Sequence, residues 1–305
     1  MGRDCSKMKK VKQNKSDIAL KIFAYIFIGI FGIVCIYPLL MVLSVSFSSE
    51  GAIALNGYSV IPQDFTLDTY IYIFSNSGAQ ILRSYGVTIS VAVIGTTLAM
   101  LITSMMAFAL SINDMKYRNV IAFLCDFTII FSAGLIPWYI VCVNYYHLQD
   151  SYWGLIVPSV FSVWNMFLLR TYFKSVSQSL YEAAKIDGAN YFTVYWKITL
   201  PLSKTPLLTV GLMYTLQFWN DWWNALMFIR DKKLWPLQYY LYNILSNVNA
   251  ISSGRVPAGA AANMKLPAET VKMAVTILTI GPILFAYPFV QKYFVNGIMT
   301  GAVKE

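Results

Sequence analysis

Charged residues are scarce in this chain of 305 residues, in which Asp, Glu, Lys and Arg together make up 12%. A soluble domain carries about 25% charged residues, so this composition argues against an ordinary soluble globular protein. Hydrophobic residues instead account for 57% of the chain, and the mean hydropathy is +0.57. The sequence therefore indicates a protein that lies mostly within a membrane.

Residues that build metal and catalytic sites are equally scarce. The 4 cysteines have neither a metal-binding spacing nor the pattern of a disulfide framework, and the single histidine, His147, falls in a short predicted loop. No Ser/His/Asp, Cys/His or paired-carboxylate set shares a predicted face, and the phosphate-loop pattern G-x4-G-K-S/T does not occur. We therefore expect a protein that is not an enzyme, holds no metal or cofactor, and leaves any binding of ATP to another chain.

Long apolar runs are abundant, and six of them are of the length that a bilayer core requires, about 20 helical residues. The predicted spans cover residues 22–44, 85–110, 119–143, 153–169, 206–229 and 273–290. We therefore predict an all-α polytopic membrane protein with six transmembrane helices. Its transmembrane domain covers 22–290, between an N-terminal tail over 1–21 and a C-terminal tail over 291–305.

The orientation of these spans follows from Lys and Arg, which accumulate in cytoplasmic loops. Most of the 23 basic residues lie on the cytoplasmic side if the N-terminus is inside. This arrangement places both tails in the cytoplasm, together with the polar segment 175–203 between the fourth and fifth spans. The net charge of +9 is then a consequence of topology, and we expect no nucleic-acid binding.

The polar segment 175–203 carries strong helix signals. Ser179 and Glu182 have the spacing of a capping box, in which the side chain of each residue accepts a hydrogen bond from the backbone N–H of the other residue. The short helix is predicted to run through Asp187, and Gly188 supplies the left-handed residue that ends it. The first half of the segment is therefore predicted to be a helix followed by a tight turn.

A second helix follows the turn. Asn190 can cap its N-terminus, and Pro201 is expected to break it before the fifth span. We therefore predict a cytoplasmic helix–turn–helix, in which the small side chains of Ala183 and Ala184 permit close approach by a partner. The alternative is an ordinary amphipathic loop in which Glu182 does no more than cap its own helix.

The segment from Glu182 to Pro201 reads EAA-x3-G-x9-I-x-L-P, and this spacing resembles the cytoplasmic EAA coupling loop of bacterial ABC importer permeases. Residues 135–158 and the Trp-Asn-Asp-Trp sequence at 219–222 are similar to the carbohydrate-importer branch of that family. The ending over 291–304 is similar to the close of maltose-type permeases of the MalG class. The resemblance implies the type I ABC importer permease fold.

The resemblance also implies a role and a set of partners. The protein is expected in the bacterial cytoplasmic (inner) membrane, as one of two homologous permease subunits that form a heterodimer. Two ATPase subunits that bind ATP and Mg, an external solute-binding protein, membrane lipid and an oligosaccharide substrate complete the expected set. The residues expected to contact the ATPase are Glu182, Ala183, Ala184, Asp187 and Gly188.

Polar residues in the fifth span form the candidate substrate pathway. Gln217, Asn220, Asp221 and Asn224 recur at i, i+3, i+4 and i+7 beside Trp219, which predicts one continuous stripe on a helix. Amides, a carboxylate and aromatic faces suit a sugar, with its hydroxyl edges and C–H faces. The alternative is that the amides hold helices together and that the tryptophans belong to an interfacial belt.

Rival functions remain open from the sequence. An ABC permease for another solute would carry the same coupling loop. A proton-coupled secondary transporter would need Asp126 or Asp221, which lie inside predicted spans, whereas a hydrogen bond to a neighbouring helix or to the companion permease is the structural alternative for Asp126. A membrane enzyme acting on lipid or glycan has no supporting residues. The identity of the sugar and the structure of 230–269 do not follow from the sequence.

Overall fold

The structure is a computed structural model that describes residues 15–252, 269–282 and 284. All regular elements of these residues are helical apart from one isolated bridge between Ser48 and Phe65, which confirms the all-α prediction. Both predicted tails lie largely or wholly outside the described residues, as do residues 253–268 and the end of the sixth predicted span. The described residues of Met1–Tyr70 and Leu266–Ile277 form one compact unit, and those of Ile71–Lys265 and Leu278–Glu305 form a second.

The helices are numbered in chain order. They are α1 (Lys15–Ser46), α2 (Glu50–Asn56), α3 (Asp68–Ser111), α4 (Arg118–Ile130), α5 (Leu135–Ile140), α6 (Tyr152–Ile156), α7 (Val163–Lys174), α8 (Gln178–Ile186), α9 (Tyr191–Val194), α10 (Leu200–Leu202), α11 (Lys204–Trp219), α12 (Trp223–Phe228) and α13 (Leu237–Ser252). Residues 269–282 are helical as well. By length and composition, Ala19–Ser46 and Ser77–Ser111 could each cross a membrane as one helix.

Helix α1 is apolar on every side, as the prediction of a first span over 22–44 requires. None of its most apolar window is buried within the chain, and Phe23, Phe27 and Phe31 stack on one another along its surface with ring centroids 6.2 and 6.4 Å apart. A helix of this kind is stable only in lipid or against another protein.

In the same unit, Glu50 at the start of α2 accepts hydrogen bonds from the backbone N–H groups of Glu269 and Thr270 at 3.1 and 3.0 Å.

Helix α3 is longer than the predicted second span over 85–110. Its 44 residues extend for about 66 Å, roughly twice the 30 Å thickness of a bilayer core. The surplus lies at its N-terminal end. At its buried centre, α3 packs tightly on α11. The close approach is seen at Gly95, where an added Cβ atom would lie 2.8 Å from the ring of Phe218.

The third predicted span, over 119–143, is bent in the structure and is not one straight helix. Helices α4 and α5, the latter continued by a wide π-type turn over Val141–Tyr145, meet at 116°. The physical reason is Gly134, whose φ of +87° lies outside the helical region and is open mainly to glycine. Such a bent pair is either a broken span or a re-entrant segment.

The fourth and fifth predicted spans are also interrupted. Helix α6, continued by a 3-10 turn over Val157–Ser159 that holds Pro158, meets α7 at 52°. In the fifth span, α11 ends at Trp219 and α12 begins at Trp223. If each of the two bent pairs counts as one span, four spans are present among the described residues by length and composition.

The core of the larger unit lies between α3, α7, α11 and α12. Its largest fully buried side chains include Phe173, Tyr214, Phe218 and Phe228. The hydroxyl of Tyr214 lies 2.7 Å from Thr103 Oγ1 and accepts the backbone N–H of Ser162 at 3.0 Å. These contacts satisfy a buried polar group and join three helical segments at one point.

Candidate functional site

The polar segment 175–203 forms the helix–turn–helix that the sequence predicts, with a different start. Helix α8 begins after Ser177, whose side chain makes no capping hydrogen bond, and the hydroxyls of Ser177 and Ser179 lie 2.7 Å apart. The predicted capping box between Ser179 and Glu182 is therefore wrong. Because the helix starts upstream, Ser179 already lies in the first turn and does not serve as its cap.

The turn itself matches the prediction. Gly188 has a φ of +78°, and its N–H donates to the carbonyl of Lys185 at 3.0 Å. The N–H groups of Asp187 and Ala189 donate to Ala183 and Ala184 at 3.0 and 2.9 Å. These bonds satisfy the last carbonyls of α8 and fix the angle at which the next helix leaves.

The second helix begins as predicted and ends later than predicted. Asn190 Oδ1 accepts the backbone N–H of Thr193 at 2.8 Å, which is the expected N-cap. Helix α9 then widens into a π-type turn over Tyr195–Thr199 and continues as α10. Pro201 does not break it: α10 follows directly on the wide π-type turn and runs past the proline to Leu202. The interruption comes at Ser203 instead.

The root of the helix–turn–helix is anchored in the core. The hydroxyl of Tyr195 lies 2.7 Å from Ser104 Oγ on α3, and Thr199 Oγ1 donates to the hydroxyl of Tyr181 at 3.4 Å. The ring of Phe108, also on α3, contacts Tyr181 and Tyr195 at centroid distances of 6.4 and 5.3 Å. Burial raises the pKa of both tyrosines above the ordinary value. A displacement of the loop would therefore be transmitted to α3.

The tip of the loop, by contrast, is open. Glu182, Ala183, Asp187 and Gly188 are exposed, and Ala184 is half-buried at the boundary with the core. The structure therefore brings the residues expected to contact the ATPase onto one exposed helix–turn–helix. Apolar side chains lie beside them without any cover in the described chain: Ile186, which is 86% exposed, Phe192 at 60% and Trp196 at 46%.

A contact that sequence reasoning missed lies beside this tip. Lys185 Nζ forms an ion pair with Asp114 Oδ2, in the connection between α3 and α4, and lies 5.0 Å from the ring centroid of Tyr191. The hydrogen bond between the two charged groups lowers the pKa of Asp114 and raises that of Lys185. The partners are 71 residues apart, so no local pattern links them. Both are exposed, so the pair orients the loop without adding much stability.

The polar stripe predicted in the fifth span is not continuous. Because α11 ends at Trp219, Asn220 and Asp221 lie in a break, and only Asn224 lies inside the next helix. Asn224 is buried, with Nδ2 bonded to Asp221 Oδ2 at 2.5 Å and to Ser159 Oγ at 2.8 Å. The predicted i, i+3, i+4 and i+7 stripe is therefore interrupted by the break between α11 and α12.

The five pathway candidates consequently fall into two groups. Asp221 accepts hydrogen bonds from Asn224, and Asn224 also donates to Ser159, which is the packing role that the sequence left open. Gln217 and Asn220 are exposed and Trp219 is half-buried. Asn220 Oδ1 accepts from Gln238 Nε2 at 3.2 Å at the start of α13. Gln217 and Asn220 therefore present polar atoms to a surrounding space, whereas Trp219 Nε1 is buried without a hydrogen-bond partner among the described residues.

Asp126 is exposed on α4, and no hydrogen bond or ion pair joins it to another described residue. An intrachain hydrogen bond, one of the structural alternatives for this residue, is therefore not seen in the described part of the chain. His147 is exposed in the connection after α5, as expected. Among the described residues, no group of three or more His, Cys, Asp or Glu side chains could hold a metal ion.

Comparison with known proteins gives a consistent set of relatives. The profile of a family described as "Binding-protein-dependent transport system inner membrane component" matches residues 120–300, which include the whole helix–turn–helix. Protein LplC of Bacillus subtilis is 38% identical over 92% of both chains. The polygalacturonan/rhamnogalacturonan transport system permease protein YtcP of the same organism is 36% identical over 92% of this chain and 96% of its own.

A solved structure is similar over nearly the whole chain. It is described as a bacterial ABC transporter involved in the import of the acidic polysaccharide alginate. The match has a TM-score of 0.80 at 31% sequence identity and covers 93% of this chain and 100% of that chain. The resemblance in fold therefore extends well beyond the segment that the family profile matches.

Proposed function

The chain belongs to the family of binding-protein-dependent transport system inner membrane components, and from this premise we propose that it is a permease subunit of an ATP-driven oligosaccharide importer. It is a multi-pass protein of the inner membrane. The observation that carries the proposal is the exposed helix–turn–helix around Gly188, anchored at its root and uncovered at its tip. Such a surface is suited to receive a mechanical movement from a partner.

The partner at the tip is proposed to be an ATPase subunit that binds ATP and Mg, since the chain itself has no phosphate loop. Glu182, Ala183 and Asp187 would contact it directly, and Gly188 would set the angle between the two docking helices. Ala184 would contribute from the edge of the core. In this arrangement the permease supplies the pathway, and the ATPase supplies the free energy.

The mechanism follows from the contacts at the root. When ATP binding closes the ATPase dimer, the loop moves with it. The bond of Tyr195 to Ser104 and the ring contacts of Tyr181 and Tyr195 with Phe108 transmit that movement to α3, and α3 packs on α11 at Gly95. The pathway would then open toward the external side, and hydrolysis would reset it.

The remaining partners are proposed on the same grounds. The uncovered apolar surface of α1 requires lipid and, in part, a companion protein, which we assign to a second homologous permease subunit. Two ATPases and an external solute-binding protein complete the complex. The positive charge of the predicted cytoplasmic loops favours both termini inside, which places the helix–turn–helix on the ATPase side.

An oligosaccharide is the substrate class that the relatives favour. Their names include a polygalacturonan/rhamnogalacturonan permease, an arabinooligosaccharide permease AraQ of Halalkalibacterium halodurans and an importer of alginate. Gln217, Trp219 and Asn220 are proposed to line part of the pathway. Asp221 and Asn224 would shape it from behind, because their polar atoms are engaged with each other and with Ser159.

The proposal is tested by supplying ATP and a proton gradient separately to vesicles that contain the full importer. Sugar uptake should require ATP, and Asp126→Asn should leave it within about twofold of the wild type, because an amide keeps a hydrogen bond to a companion subunit and no ion pair joins Asp126 to another described residue. The readout is uptake of labelled oligosaccharide. Uptake that the gradient drives without ATP, and that Asp126→Asn abolishes, would instead establish a proton-coupled transporter.

A further inference from the structure

A polar cleft lies in the larger unit, beside the N-terminal half of α3. It encloses about 610 Å³, within the range of about 300–1,000 Å³ that is typical of small-molecule sites. Its walls are α3, the 3-10 turn Lys232–Leu234 and α13. The residues that line it are Ser75, Ser77, Gly78, Ala79, Gln80, Arg83, Lys232, Trp235, Tyr240, Asn243, Ile244 and Asn247.

The length of α3 places this cleft outside the bilayer core. Arg83 precedes the end of α3 at Ser111 by 28 residues, which corresponds to about 42 Å along a helix axis. The core is only about 30 Å thick. With the end of α3 at the cytoplasmic side, the cleft therefore opens at the external surface, where a substrate arrives.

The charge of the cleft is of one sign. Among the described residues that line it, Arg83 and Lys232 are charged and none is an acid. Neither cation forms an ion pair with a described residue. The neighbouring Asp231 is engaged elsewhere, since its Oδ1 accepts the backbone N–H of Lys233 at 2.9 Å. A concave surface with uncompensated positive charge attracts anions.

The cleft also offers ring faces and amides. Lys232 Nζ lies 5.9 Å from the ring centroid of Trp235, so a cation and an aromatic face lie side by side. Gln80 Nε2 donates to the Lys232 carbonyl at 2.8 Å and ties α3 to the turn. Asn243 Nδ2 donates to the Tyr239 carbonyl at 3.0 Å, which leaves its Oδ1 as an acceptor. A sugar ring presents C–H groups to aromatic faces and hydroxyls to amides.

We propose that this cleft is an external binding site for a sugar unit that carries a carboxylate. Arg83 and Lys232 hold the carboxylate, for which a guanidinium offers two parallel hydrogen bonds, and Trp235 and Tyr240 take the ring. The inference rests on the proposed import function and makes it more specific: the substrate is a uronic-acid oligosaccharide, and this subunit contacts it before translocation.

The test uses the purified full importer without its solute-binding protein, so that this chain's contribution is not masked. Binding of labelled trigalacturonate and of its fully methyl-esterified, neutral form is measured by equilibrium dialysis. Arg83→Gln and Lys232→Gln should each raise the Kd of trigalacturonate about tenfold, as expected for a lost hydrogen bond to a charged group. The Kd of the neutral form should change less than about twofold. Lys233→Gln, on the same turn but outside the cleft, is the matched control and should change neither.

The outcomes separate the cleft from the import function. Equal Kd values for both sugars in the wild type, or values unchanged in both cleft variants, would overturn the cleft assignment while ATP-driven uptake of sugar by the same complex stays intact. Failure of the wild-type importer, supplied with its binding protein, to take up any sugar with ATP would overturn the import function and with it this inference. Unchanged binding of the neutral sugar shows that each variant is folded.

Discussion

Transport by a Gly188→Val variant is expected to fall at least about tenfold while the subunit stays in the membrane. Gly188 has a φ of +78°, a conformation that costs an L-residue about 1–2 kcal/mol and a β-branched residue more. An added Cβ would meet no atom within 4 Å, so the strain acts through the backbone turn alone. Sugar uptake and ATP hydrolysis stimulated by the binding protein are measured together in proteoliposomes. The variant should hydrolyse more ATP for each sugar molecule taken up than the wild type does.

Two variants isolate the turn as the cause. Gly188→Asn should keep most of the coupling, because asparagine tolerates the left-handed region better than other residues. Gly57→Val also places a β-branched residue at a positive φ, +76°, after α2 and far along the chain from the helix–turn–helix, and should leave coupling intact. Wild-type coupling in Gly188→Val would show that the angle of this turn does not transmit the movement.

The stability of the importer should drop by about 1–3 kcal/mol in a Gly95→Ala variant, the range expected for overpacking. The new Cβ would lie 2.8 to 2.9 Å from three ring atoms of Phe218, and Phe218 is itself fully buried, so the ring has no free space to enter. Because α3 carries the movement of the loop to α11, this contact matters to transport as well as to folding. The measurement is the thermal midpoint of the purified complex.

The matched control is Gly86→Ala on the same helix. Gly86 is exposed, and a Cβ there would meet nothing within 4 Å. Alanine favours a helix over glycine by about 0.5–1 kcal/mol, so this variant should be as stable as the wild type or slightly more stable. Equal midpoints for Gly95→Ala and Gly86→Ala would mean that α3 and α11 do not pack as closely as the structure shows.

The features that the sequence predicted are those that depend on neighbouring residues. The φ of Gly188 and the cap by Asn190 follow from the chemistry of single side chains within one turn. The apolar character of α1 and α3 follows from composition over about 20 residues. The predicted capping box failed for a related reason: Ser177 and Ser179 are both able to start a helix, and a local pattern does not decide between them.

Features that depend on tertiary contacts could not be predicted. The 116° bend at Gly134 lies inside a run that is apolar enough for one straight span. The hydropathy of the run carries no information on the backbone φ angle of this glycine. The break after Trp219 separates residues whose spacing fits one helix. The contacts of Lys185 with Asp114 and of Tyr195 with Ser104 join residues far apart in sequence, and only the fold brings them together.

The most direct test of the account is whether the tip of the helix–turn–helix touches the ATPase. In a chain whose native cysteines are replaced by alanine, Ala183→Cys is treated with a short bifunctional thiol reagent in the assembled importer. Leu55→Cys on α2, where the native side chain is 86% exposed, is the control for reactivity alone. The account predicts a covalent adduct between the Ala183→Cys subunit and the ATPase, with a yield that changes with the bound nucleotide. It predicts no adduct from the Leu55→Cys subunit. An Ala183→Cys subunit that is fully reactive yet never joined to the ATPase would contradict it.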